Sequence, residues 1–174
     1  KALIRRNGRG NIERDLQLSD HTINRIAHAD QMGLTLLGMA NATGQFSLTR
    51  LNSNTSLKWS KLLTAPTGVI DLNIQSAPSQ IIIAGQLNDQ SIWICSVDSI
   101  GSINWAQTLS LANKDLTLAD ILIQDDESCW LLGNTGEQAI FIQEVHTNGS
   151  LGESIELSSS TLSSIQAQAL IPEE

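Results

Sequence analysis

The chain has 174 residues, 41% of them apolar and 16% charged, so it holds enough apolar surface for a core and is neither a disordered segment nor an acidic solvating tail. Its net charge of −8 argues against nucleic acid as a partner, and no apolar run approaches the ~18 residues of a membrane span, so membrane insertion is not expected. Tyr is absent, while Ser, Thr, Asn, Gln and Gly are plentiful, which favours turns and strand edges over long helices.

The first 25 residues carry six of the ten basic side chains against three acids. Arg5, Arg6, Arg9 and Arg14 form the candidate interface in this stretch. Two readings stay open: a dock for an acidic protein partner, or a charged outer strand edge that resists edge-to-edge pairing. The chain opens on Lys1 with no signal peptide ahead of it, which reads as a mature product or a part of something longer.

From there the sequence repeats. Three apolar runs end in glycine at Gly38, Gly85 and Gly133, spaced 47 and 48 residues apart. Each is followed by a second apolar strand (46–51, 92–97, 140–145) and then by a turn and an alternating third strand (52–59, 98–105, 146–153), the pattern of a hairpin. A further strand precedes each run, at 22–29, 69–75 and 118–124. At the ends, 2–5 and 11–18 fit the last two strands of an earlier unit, with Gly10 matching Gly101 and Gly149, and 162–170 fits a first strand. The predicted organisation is 1–18 as the last two strands of a preceding unit, full units at 19–65, 66–112 and 113–158, and 159–174 as the opening strand of a following unit.

Four antiparallel strands cannot cover both of their faces alone. Stacking such sheets radially buries both faces of the inner strands, which accounts for their nearly continuous apolar runs. A β-sandwich would show cleaner alternation. The period of about 47 residues therefore predicts an all-β chain, a β-propeller of consecutive four-stranded antiparallel blades, and a partial one, because the first and last units are incomplete.

The segment Asp98-Ser99-Ile100-Gly101-Ser102-Ile103-Asn104-Trp105 resembles the blade signature D-x-x-G-x-[IL]-x-W of bacterial propellers in the quinoprotein-like, tryptophan-docking superfamily. That superfamily includes quinoprotein dehydrogenases and the propeller lipoprotein of outer-membrane protein assembly. The resemblance implies that Trp59 and Trp105 dock between adjacent blades. In the other units Glu153 and Arg14 stand where the tryptophan would be, and Asn52 and His146 where Asp98 is. Trp93 and Trp130 fall inside strands and read as packing residues.

The remaining chemistry-bearing residues do not converge. His21, His28 and His146 form no H-x-x-x-H and pair with no cysteine, so no metal site is expected. Cys95 and Cys129 lie in different apolar runs and read as small buried hydrophobes, with a disulfide possible but not implied. Asp125-Asp126-Glu127 lacks the alternation and glycine of a calcium loop and reads as a solvated hairpin. Sequons at Asn41, Asn54 and Asn148 are expected by chance in so Asn-, Ser- and Thr-rich a chain. No nucleophile elbow, P-loop or dinucleotide fingerprint occurs.

These readings predict a non-catalytic interaction or scaffold module with no cofactor, whose partners are other proteins or further blades of the same polypeptide. The resemblance implies an extracytoplasmic bacterial setting, periplasmic or at the cell surface. The alternatives are a carbohydrate- or peptide-binding propeller and a fragment of a quinoprotein-like propeller oxidoreductase.

Overall fold

The computed structural model describes residues 2–6, 12–17, 25–28, 33–39, 44–111, 114–136, 139–160 and 164–170. Among them every regular element is a β-strand and every pairing is antiparallel. The chain divides into two compact units, Lys1–Ala65 and Pro66–Glu174.

The first unit holds two sheets. Strands β1 (Ala2–Arg6) and β2 (Ile12–Gln17) pair as a hairpin, in register Ala2 with Gln17 and Arg5 with Arg14. Strands β3 (Arg25–His28), β4 (Leu34–Met39), β5 (Gln45–Leu51) and β6 (Leu57–Thr64) follow as a four-stranded meander in sequence order. Its inner strands are the apolar ones: Leu36, Leu37, Phe46, Leu48 and Leu51 are each at most 3% exposed. Arg50 is buried among them, and burial lowers the pKa of its guanidinium.

The second unit repeats that meander twice. One sheet is β7 (Val69–Ser76), β8 (Gln80–Leu87), β9 (Ile92–Asp98) and β10 (Ile103–Leu109). The next is β11 (Leu116–Ile123), β12 (Cys129–Thr135), β13 (Ala139–Val145) and β14 (Leu151–Ser158). The strand-by-strand expectation for all three four-stranded sheets agrees with these elements. Strands β8 and β9 are buried on both faces, Ile81, Ile83, Trp93 and Val97 on one and Ile82, Ala84, Ile92 and Ile94 on the other. The second of these faces shares a core with the next sheet through Leu116, Ile121, Cys129, Leu131, Phe141 and Val145. Burying such side chains is worth about 1.5–3 kcal/mol apiece, so this shared core is the main adhesive between the two sheets.

The glycine that ends the third apolar run has a steric reason. A Cβ on Gly133 would lie 2.1 Å from the carbonyl oxygen of Thr117 and 2.4 Å from the Phe141 ring, so only a hydrogen lets β11, β12 and β13 close up there.

Of segment 162–170, expected as a first strand, residues 162 and 163 lie outside the described residues and 164–170 joins no ladder. A first strand takes its ladder from the strand after it, and none follows among the described residues. Its backbone is held by side chains instead: Ala167 N donates to Asn134 Oδ1 at 2.8 Å and Leu170 N to Asp120 Oδ2 at 3.0 Å.

Candidate functional site

The side chains that matter most gather where sheet β7–β10 meets sheet β11–β14. At the outer rim, Trp105 Nε1 donates to the carbonyl of Thr147 at 2.7 Å. Its indole lies against Gly149, where an added Cβ would sit 2.8 Å from Cδ2. Gly149 has φ +87, so both the turn and the ring require glycine. Trp105 is thus a junction residue, half-buried, against the neighbouring sheet. Trp59 stands at the matching place on β6, half-buried and opposite Arg50 in the register.

At the other end of the junction the Gln86 amide bridges to β11. Its Nε2 donates to the Leu116 carbonyl at 2.8 Å and its Oε1 accepts from Leu118 N at 3.0 Å. Leu116 N donates in turn to the Gln90 carbonyl at 2.9 Å. A third tie joins the turn before β8 to the turn before β12: Ser79 Oγ meets Glu127 Oε1, Gln80 Nε2 meets the Glu127 carbonyl, and Ser96 Oγ donates to Gln80 Oε1 at 3.1 Å. Sequence reasoning missed Gln86 and Gln80. Their signal was weak: two glutamines flanking the apolar run of β8, where solvent-exposed polar residues would look the same.

The acid cluster at 125–127 belongs to a turn found at four places among the described residues. In 52–56, 87–91, 124–128 and 146–150 the first residue's N–H donates to the fifth residue's carbonyl, and a serine in fifth place donates to the Asn or Asp in third place. The fourth residue is left-handed: Thr55 at φ 63, Gln90 at 65, Glu127 at 66 and Gly149 at 87. The serine bonds hold the carboxyls of Asp89 and Asp126 below the usual carboxylate range. The reading of 125–127 as a solvated hairpin agrees with this geometry.

Beside the junction lies a hollow of about 430 Å³ lined by Lys114, Asp115, Thr135, Glu156 and Ser158 to Ser160. Lys114 is ion-paired to Glu156 across its mouth, both side chains about two-fifths exposed. Such a lining offers hydrogen bonds to a small polar molecule. Elsewhere His146 Nδ1 lies 3.6 Å from Glu144 Oε1, while Glu144 Oε2 accepts from Glu153 N at 3.1 Å. Burial pushes the thiols of Cys95 and Cys129 up to about 12. Both are free and buried, in accord with their reading as small core residues. Among the described residues no three His, Cys, Asp or Glu side chains are grouped to hold a metal ion, and no helix is long and apolar enough to cross a membrane.

The candidate basic interface is only partly within the described residues. Arg5 and Arg6 lie on β1 and Arg14 on β2, with Arg5 and Arg14 directly opposed in the register. Arg9 lies outside the described residues, as does His21.

No family model matches this chain, and no curated protein matches it. Among solved structures it is similar to a protein of unknown function from Bacteroides caccae, with a TM-score of 0.54 and 13% identity over 90% of this chain and 58% of that one. It is also similar to a protein from Lactobacillus plantarum, with a TM-score of 0.54 and 16% identity over 90% of this chain and 50% of that one. The likeness is one of fold, and the chain spans between half and three-fifths of the length of each.

Proposed function

We propose that the four-stranded sheets are blades of a β-propeller of the quinoprotein-like, tryptophan-docking kind, and that the chain serves as a non-catalytic interaction scaffold. Its partners would be proteins or further blades, in an extracytoplasmic bacterial assembly, periplasmic or at the cell surface. The observation that supports this reading best is the junction between β7–β10 and β11–β14. There a shared apolar core, the Gln86 bridge and the Trp105 indole on Gly149 lock one sheet rigidly onto the next. A stack fixed in this way holds its outer strands and turns as a preformed surface, which lowers the ordering cost of binding a protein. The opposed Arg5 and Arg14 on β1 and β2 mark a basic edge suited to an acidic partner.

The test is site-specific photocrosslinking from position 6 in the native host, followed by identification of the trapped protein and its compartment. One dominant acidic partner outside the cytoplasm is expected, lost on R5E/R14E. Turnover in a dye-linked dehydrogenase assay with added quinone cofactor, or trapping only of cytoplasmic proteins, would overturn the reading.

A further inference from the structure

The outer face of sheet β11–β14 repeats, position by position, a face that is covered one sheet earlier. On sheet β7–β10 the covered face is Ile82, Ala84, Ile92, Ile94 and Leu109, each at most 4% exposed beneath the following sheet. The residues 48 positions on are Trp130, Leu132, Ile140, Ile142 and Leu157. Cross-strand partners set them on one side of the sheet: Leu132 with Ile142, Ile142 with Ile155, and Ile140 with Leu157. Here, however, Leu157 is 53% exposed and Ile155 42%, Trp130, Ile140 and Ile142 are half-buried, and Leu132 alone of these is covered, at 6%. Apolar side chains gathered on one face in this way mark a contact surface, which singly scattered ones do not.

What covers it is indicated by the segment already seated there. Gln86 Oε1 accepts from Leu118 N as β11 enters the covered face, and Asn134, 48 residues after Gln86, accepts from Ala167 N in the same way. Ala167 lies 49 residues after Leu118, and at that offset Ile165 and Leu170 match Leu116 and Ile121, two members of the shared core. Segment 164–170 therefore sits where β11 would, one sheet on, with its apolar residues at the spacing that β11 uses.

We infer that the outer face of β11–β14 is a docking surface for a further four-stranded sheet of this repeat type, with residues 164–170 as its opening strand. Leu122, Trp130, Ile142 and Leu157 would meet the apolar face of that sheet, and Asn134 and Asp120 set its register by holding two backbone N–H groups. Asn134 and Asp120 are positioning residues. The inference rests on the reading of the sheets as stacked blades, and it is read out without any partner protein, so its failure is distinct from that of the scaffold function.

The experiment compares thiol labelling of L157C in this chain and in an extended chain, in which residues 1–170 are followed by a second copy of residues 122–160. The copy supplies the strands that 164–170 would open. Labelling of L157C should slow at least tenfold in the extended chain, while S154C on the other face of β14 labels equally in both. Equal rates for L157C in a folded extended chain overturn the inference. Should the extended chain fail to fold, amide exchange of the 174-residue chain decides: Ala167 should exchange at least tenfold slower than a random coil, and N134A should abolish that protection. Random-coil exchange at Ala167 overturns the inference. So does a stable dimer in which the thiol of L157C stays protected after deletion of 164–170, because the face would then belong to a second copy.

Discussion

The indole of Trp105 rests on the backbone of Gly149 in the next sheet, and its Nε1 donates to the Thr147 carbonyl at 2.7 Å. One ring therefore ties two consecutive sheets at their outer rim. Because Trp105 is only half-buried, W105A should cost about 2–3 kcal/mol, less than a fully buried tryptophan. G149A places a Cβ against the ring at φ +87 and should cost about 1–3 kcal/mol. The two losses should fall short of additivity in the double variant, since each removes the same contact. Urea unfolding of the three variants checks this, and a fully additive pair would mean that ring and glycine are not coupled.

The Gln86 bridge makes a sharper claim about a single amide. Q86L keeps the side-chain bulk but strands Leu118 N and the Leu116 carbonyl at the buried junction. Each lost partner costs about 1–1.5 kcal/mol, so the variant should lose about 2–3 kcal/mol. Q86E keeps an acceptor for Leu118 N but turns a carboxylate oxygen onto the carbonyls of Leu116, Ser91 and Leu87, so it should cost at least as much as Q86L. The Leu118 amide should exchange faster in Q86L and stay protected in Q86E. Equal exchange in both would assign the effect to packing.

The strands were legible in the sequence because period and composition agree. An apolar run ending in glycine recurs at Gly38, Gly85 and Gly133, and at Gly133 the crowding of Thr117 and Phe141 requires that residue. The junction was less legible. Trp105 could be assigned a docking role by resemblance, yet nothing in the letters distinguishes Gln86 from an exposed strand glutamine, because its partner is backbone 30 residues away. The acids at 125–127 were hard to place for the opposite reason: their clustering is conspicuous, but their geometry is that of the turns at 87–91 and 146–150. The segment 164–170 has the apolar spacing of a strand without a ladder to form.

That shared turn sets up a prediction in the first unit. Thr55 adopts φ 63 at the place where Gly149 sits in the last turn, and a β-branched residue is strained there. Its hydroxyl donates to the Asn54 carbonyl at 2.7 Å, a local bond that does not require the left-handed backbone. T55G should therefore stabilise the protein by about 0.5–1 kcal/mol, the relieved strain exceeding the added freedom of the unfolded chain. T55A, which keeps a Cβ, should not. The urea midpoint of T55G falling at or below that of wild type would show that the packing of the buried Thr55 side chain outweighs its strain.

Cys95 and Cys129 make the pH dependence testable at the alkaline end. Burial raises both thiols from 9.0 to about 12, so the folded state holds them protonated over a range in which the unfolded chain releases the protons. Their contribution to stability is thus complete below about pH 9 and is lost as the pH climbs through the window from 9 towards 12. A shift of this size amounts to about 2–3 kcal/mol per thiol by pH 11. The chain has no Tyr, so thiolate absorbance in the ultraviolet is not masked by tyrosinate. At pH 8 a thiol reagent should leave both cysteines unmodified in the native protein and modify two per chain in urea. Stability measured from pH 8 to 11 should fall steeply in the wild type and more gently in C95A/C129A, whose lower plateau reflects the cavities left behind. Parallel curves for the two proteins would mean that the thiols do not resist ionisation in the fold, and that the burial drawn for them is incomplete.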